Sequence, residues 1–204
     1  MNRLRRLVLS APVALAFLAG GAQAQELSLA ELSAYFNGLS SAQGDFTQIN
    51  SDGTISTGKI YIKRPGRIRF EYNPPEEALV VAGGGSLAIF DPRSNTGPDR
   101  YPLSQTPLNI ILRRDVDLAR AEMVTDHSSD GTTTTITAQD PEHPEYGSIR
   151  LVFTANPVEL RQWVIDDGTG TETTVILGGF DTTSPVRDIL FNIINEERLW
   201  AQNR

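Results

Sequence analysis

Cysteine is absent from all 204 residues. That excludes disulfides, thiol nucleophiles, cysteine-ligated metals and a lipid anchor on an N-terminal cysteine. Histidine is nearly as scarce: His127 precedes the turn cluster Ser128-Ser129-Asp130-Gly131, and His143 sits in the polar loop Pro141-Glu142-His143-Pro144. Neither spacing suggests a metal pair, and no nucleophile elbow marks a Ser/His/Asp triad. Gly83-Gly84-Gly85 lies between strand patterns and not before a helix, so it reads as a turn rather than a phosphate cradle. Asp166-Asp167-Gly168 reads as a hairpin turn before a carboxylate pair. These absences point away from an enzyme. Positive charge is also short, with 18 basic against 25 acidic residues and a net charge of −7. An acidic surface repels phosphate backbones, so nucleic acid is not an expected partner.

Long apolar runs are missing except for one, Leu7 to Ala19, which is too short to span a bilayer. It follows Arg3, Arg5 and Arg6 and precedes the small-x-small site Ala22-Gln23-Ala24. Residues 1–24 therefore read as a cleaved export signal, ahead of the competing reading of a membrane anchor. The mature chain is expected to begin at Gln25 and to form one domain over 25–204. Losing three arginines takes its formal charge from −7 to −10.

What is present is a helix followed by short strands. Ser28 with Glu31 three residues on forms a capping box, and Leu32, Phe36 and Leu39 make one apolar stripe ending near Gly38 to Ser41. Strand patterns follow at Phe46 to Asn50, Ile55 to Lys63, Arg67 to Tyr72, Ala78 to Ala82 and Leu87 to Phe90. In Arg67 to Tyr72, the residues Ile68, Phe70 and Tyr72 share one face, and Arg67, Arg69 and Glu71 are expected to meet solvent on the other. Thr106-Pro107 opens a short helix to Arg113 carrying Leu108, Ile111 and Leu112 on one side. Five more strands are expected between residues 122 and 177, and Ser184-Pro185 predicts a short helix near 185–190. Hairpin-length connections predict one large antiparallel sheet, strongly curved, with a few helices against one face. Such a sheet either packs solid or leaves an apolar cavity under a helical lid, and alternation alone leaves both open.

The run Lys63-Arg64-Pro65-Gly66-Arg67-Ile68-Arg69-Phe70-Glu71-Tyr72, followed by Pro75-Glu76 and Leu79-Val80-Val81, resembles the periplasmic outer-membrane lipoprotein carrier family, LolA. Gly44-Asp45-Phe46-Thr47-Gln48, Gly58-Lys59-Ile60-Tyr61-Ile62, Leu87 to Pro92 and Thr106-Pro107-Leu108 through Leu112 are similar to family segments in the same order. The resemblance covers roughly residues 29–180. The Pro-Pro-Gly turn common near the family's C-terminus is missing, so Phe191 to Arg204 stays unassigned.

The resemblance implies an incomplete antiparallel β-barrel with a lid of short α-helices over an apolar cavity. It implies a monomeric periplasmic carrier, not an enzyme, with no cofactor. That carrier would take triacylated lipoproteins from an inner-membrane ABC transporter complex and deliver them to an outer-membrane acceptor. Phe46, Ile68, Phe70, Tyr72, Val80 and Ile89 would line the acyl cavity. Leu32, Phe36, Leu108, Ile111 and Leu112 would form the lid side. Arg64, on composition a solvated strand end, would become a latch donating to lid carbonyls near Phe36 and Ile111 or Leu112. The competing expectations are a carrier or sensor of another hydrophobic ligand, an exported structural module with a solid core, and an unrecognised hydrolase.

Overall fold

Ser28 opens the first helix of the described residues as the sequence predicts. Its hydroxyl accepts from the Glu31 amide at 3.3 Å while the Glu31 carboxylate accepts from the Ser28 amide at 2.8 Å. The computed structural model describes residues 26–120 and 122–202, and the predicted export signal over 1–24 lies outside them. After α1 (Leu29–Gly38) come β1 (Ser41–Ile49), β2 (Ile55–Lys63), β3 (Ile68–Tyr72), β4 (Leu79–Gly83), β5 (Ser86–Phe90) and β6 (Asp99–Pro102). A 3-10 turn (Leu103–Gln105) leads to α2 (Leu108–Leu112). The chain continues through β7 (Val124–Ser129), β8 (Thr133–Gln139), β9 (Ser148–Thr154), β10 (Glu159–Asp166) and β11 (Glu172–Leu177). A second 3-10 turn (Pro144–Tyr146) lies between β8 and β9, and the described residues close with a third (Asp188–Phe191) and α3 (Ile193–Gln202).

All eleven strands belong to one antiparallel sheet in the order β6-β5-β4-β3-β2-β1-β11-β10-β9-β8-β7. Two meanders are therefore joined where β1 pairs with β11, and β6 and β7 remain as open edges. Phe70 on β3 and Trp163 on β10 are four strands apart, about 19 Å along a flat sheet. Their rings nevertheless meet edge to face with centroids 6.2 Å apart. Only a strongly curled sheet permits that contact, so the sheet is an unclosed barrel.

One glycine makes part of the concave surface. Gly58 lies between Phe46 and Tyr72 in the pairing register, and the two rings meet above it with centroids 5.1 Å apart. A Cβ there would run into the Glu71 carbonyl oxygen and stand 2.7 Å from the Phe46 ring.

The convex face is not all solvent. Leu79, Val81, Ala88 and Phe90 form a second, small core with Ile193, and Trp200 packs its ring on Phe90 at 5.4 Å. This corrects the expectation for Arg69. The residue lies on the convex face as alternation requires, yet it is only 8% exposed because the C-terminal segment covers it. Its guanidinium donates to Glu71 Oε1 at 2.6 Å and to the Leu190 carbonyl at 2.9 Å, and pairs with Glu196 Oε1 at 3.1 Å. The short helix expected near 185–190 is met only by the 3-10 turn Asp188–Phe191, and Ser184 does not cap it. The Asp181 carboxylate accepts the Thr183 and Ser184 amides instead. The α-helix α3 begins only after Asn192, whose side chain accepts the Asn195 amide at 3.0 Å.

Candidate functional site

The concave face is floored by aromatic and aliphatic side chains from both meanders. Phe46 meets Phe70 edge to face at 5.3 Å, and Phe70 meets Trp163. Ile68 is fully buried beside them. Tyr72 completes this floor: its hydroxyl donates to Gln48 Oε1 at 2.6 Å, and burial pushes its pKa up to about 12. The cross-strand row Ile60–Phe70–Val80–Ile89 places Val80 and Ile89 on the same face as Phe70. Val80 packs on the main core half-buried, and Ile89 stands further out towards the β6 edge.

Leu32 and Phe36 of α1 and Leu108, Ile111 and Leu112 of α2 are buried in the same core as Phe46, Ile68 and Phe70. The structure thus brings the predicted lid and floor residues together, with Ile89 at the margin. Sequence reasoning missed Trp163, which is fully buried at the centre of this surface, and Ile110, buried on α2. Alternation along β10 hid Trp163, because Leu160 and Trp163 are three residues apart and share a face only through the bulge between Leu160 and Gln162.

The two helices act as one cover. Asn37 at the end of α1 donates to the Val116 carbonyl at 2.8 Å and accepts the Val116 amide at 3.0 Å. Ser33 accepts the Leu118 amide at 2.9 Å. The segment after α2 is thereby clipped along α1. Polar ties from this cover to the sheet come mainly from the turn between β2 and β3. Arg64 Nη2 donates to the Arg113 carbonyl at 2.6 Å and to the Arg114 carbonyl at 3.3 Å. The Gly66 amide donates to the Leu112 carbonyl at 2.8 Å, and the Arg64 amide to the Ser40 carbonyl at 2.9 Å. At the other end the Leu27 amide donates to Thr134 Oγ1 at 2.9 Å, and His127 Nε2 lies 2.9 Å from the Leu27 carbonyl.

The Arg64 guanidinium reaches carbonyls beside Leu112, as expected, and makes no bond to those near Phe36. Both acceptors lie just past α2, and the residue's link towards α1 runs through its backbone amide. The last turn of a helix leaves carbonyls unpaired, which suits a guanidinium donor. Burial lowers the Arg64 pKa, with nearby Asp115 opposing. Thr106 does not cap α2 either, because its hydroxyl donates back to the Leu103 carbonyl at 2.8 Å.

Tyr35 on α1 packs on the main core and lines a neighbouring space. Its ring contacts Phe36 and Phe153 edge to face, both at 5.5 Å, and burial raises its pKa. On its other side lies a space of about 230 Å³ lined in part by Leu39, Val158, Leu160 and Phe180. Among the described residues no His, Asp and Glu side chains cluster to hold a metal, and no helix is long and apolar enough to cross a membrane.

The family model "Outer membrane lipoprotein carrier protein LolA" matches residues 37–194. An outer-membrane lipoprotein carrier protein of Azotobacter vinelandii is 27% identical over 188 residues, covering 88% of each chain. One from Cupriavidus taiwanensis is 31% identical over 118 residues, 52% of this chain, and the match spans little more than half of that relative, 56%. A crystal structure of a LolA superfamily protein from Nitrosomonas europaea superposes with a TM-score of 0.43 at 12% identity, covering 81% of this chain and 98% of that one.

Proposed function

This chain belongs to the LolA family of outer membrane lipoprotein carriers, and we propose that it works in the periplasm, shielding the acyl chains of lipoproteins between the two membranes. The family is one of non-catalytic carriers. In this reading an inner-membrane ABC transporter complex loads triacylated lipoproteins, and an outer-membrane acceptor receives them.

The observation that carries the proposal is the cover. Two short helices lay apolar side chains on an aromatic and aliphatic floor, and the ties to the β2–β3 turn number few enough for a ligand to break. An acyl chain of roughly 15 methylenes brings on the order of 12 kcal/mol of gross driving force into an apolar site. That driving force has to offset the hydrogen bonds, at about 1 kcal/mol each, and the apolar lid contacts that the chains replace in kind. Phe46, Ile68, Phe70, Tyr72, Val80 and Ile89 would meet the chains once Leu32, Phe36, Leu108, Ile111 and Leu112 lift away. Arg64 would favour return to the closed form.

Two measurements test this: titration of the purified exported protein with a fluorescent palmitate probe, and fractionation of lipoproteins after depletion in the native host. Probe binding together with lipoproteins stranded at the inner membrane is the expected outcome. Absence of probe binding sinks the carrier reading, and binding with normally placed lipoproteins points to another hydrophobic cargo.

A further inference from the structure

The centre of the concave face holds a donor without an acceptor. Trp163 of β10 is fully buried, flanked in register by Leu151 on β9 and Val175 on β11. Its indole Nε1–H can only donate, and it has no hydrogen-bond partner. Arg64, in the β2–β3 turn, and Arg113, just past α2, also bury an unpartnered Nε, but the Arg64 guanidinium bonds through another nitrogen. Trp163 has a single polar atom, and that atom is unmatched. Neighbouring interior groups are satisfied: Tyr72 donates to Gln48, Gln48 Nε2 donates to Asn50, and Thr134 accepts the Leu27 amide. A phenylalanine would offer apolar bulk at this position without the penalty of an unpaired buried donor.

Lifting the lid exposes this floor, and Trp163 lies in it against Phe70. Hydrocarbon tails carry no acceptor. The acceptors of an acylated molecule nearest its tails are its carbonyl oxygens. We propose that the Trp163 indole N–H donates to an acyl carbonyl of the cargo, so that the site selects fatty esters and amides over plain hydrocarbon of equal length. This rests on the carrier reading and adds a chemical class to it. It also sets depth, because the carbonyl end of at least one chain must enter as far as β10.

The test compares three lipids with one tail: glyceryl monooleate, N-oleoylethanolamine and 1-O-oleyl glyceryl ether, each titrated into the purified exported protein. The wild type is expected to bind the ester and the amide about tenfold more tightly than the ether, the scale of one buried hydrogen bond. Trp163→Phe is expected to bind all three alike. A second readout needs no substitution in the core. The chain has two tryptophans, so its indole nitrogen spectrum holds two resonances, and Trp200→Phe identifies them. The Trp163 N–H proton should move clearly further downfield with the ester and amide than with the ether, whose oxygen is the weaker acceptor. If Trp163→Phe does not fold, this spectrum decides alone. Equal wild-type affinity for the three lipids, or an equal shift with all three, overturns the donor role and leaves the carrier reading standing. Failure of all three to bind overturns both.

Discussion

Replacing Arg64 with leucine tests whether lid closure competes with cargo. Arg64 holds the cover through a short bond to the Arg113 carbonyl, 2.6 Å, and a longer one to Arg114, 3.3 Å. A hydrogen bond from a charged donor contributes about 1.5–3 kcal/mol, and burial of the guanidinium with its Nε unpartnered offsets part of that. A net value of about 1.5 kcal/mol is a factor of about ten in the balance between closed and open forms. A ligand that enters only the open form binds more weakly by that same factor. Arg64→Leu should therefore bind the palmitate probe about tenfold more tightly, while release to outer-membrane vesicles slows. Arg64→Lys should fall between, since an ammonium keeps the charge and loses the planar fork. Probe titration and a vesicle transfer assay read the two effects, with circular dichroism as the check on folding. A folded Arg64→Leu that loads no better than wild type, or that transfers as fast, refutes the competition.

Phe70→Glu should abolish probe binding while Ile176→Glu keeps it, because Ile176 faces solvent on the convex side; equal binding by both folded variants would refute the assignment of faces. Gly58→Ala should lower stability by about 1–3 kcal/mol in urea unfolding, because the added Cβ meets both the Glu71 carbonyl and the Phe46 ring; an unchanged midpoint would refute the close packing at that row. Asp188 takes bonds from Lys63 and Arg67, which hold its pKa below the ordinary aspartate value. A carboxylate with a lowered folded-state pKa stabilises the fold above its unfolded value and loses that contribution as pH falls through the folded value. Docking of the C-terminal segment, read from Trp200 fluorescence, should thus be unchanged near neutrality and weaken below about pH 3.8, and Asp188→Asn should remove this part of the pH dependence.

How much of this was legible depended on whether a residue's neighbours lie in its own pattern. The α1 capping box is local, and its two bonds form between residues three apart. Alternation in β3 gave the concave face of Ile68, Phe70 and Tyr72, because a strand has a period of two whatever covers it. The same alternation placed Arg69 on the far side and failed on its burial, since the cover comes from residues 190–196, over a hundred positions away. β6 was invisible for another reason. Asp99-Arg100-Tyr101-Pro102 is exposed throughout and ends in a proline, as an edge strand tolerates, so it carries no apolar signal. α3 turns little beyond Ile193 and Trp200 inward and leaves Ile194 and Leu199 exposed, which blurs its periodicity. Arg64 could be read only through the family, because its acceptors are backbone carbonyls and leave no mark in the side-chain sequence.

The turn between β2 and β3 explains why these cations are crowded together. Lys63, Arg64, Arg67 and Arg69 fall within seven residues, and unpaired they would repel one another. Their partners lie on opposite sides of the sheet. Arg64 and the Gly66 amide reach the lid. Lys63 donates to the Val186 carbonyl at 2.9 Å and pairs with Asp188 at 2.7 Å, Arg67 pairs with the same carboxylate at 2.7 Å, and Arg69 holds Leu190 and Glu196. The C-terminal segment thus sets two carboxylates and two backbone carbonyls against three of the four cations, and it braces the strands that carry the fourth. A guanidinium holds a 2.6 Å bond only while its backbone is held still, so the geometry of the lid bond depends on contacts made on the outer surface of the barrel. At this turn the cover of the concave face and the cover of the convex face are tied to the same few residues.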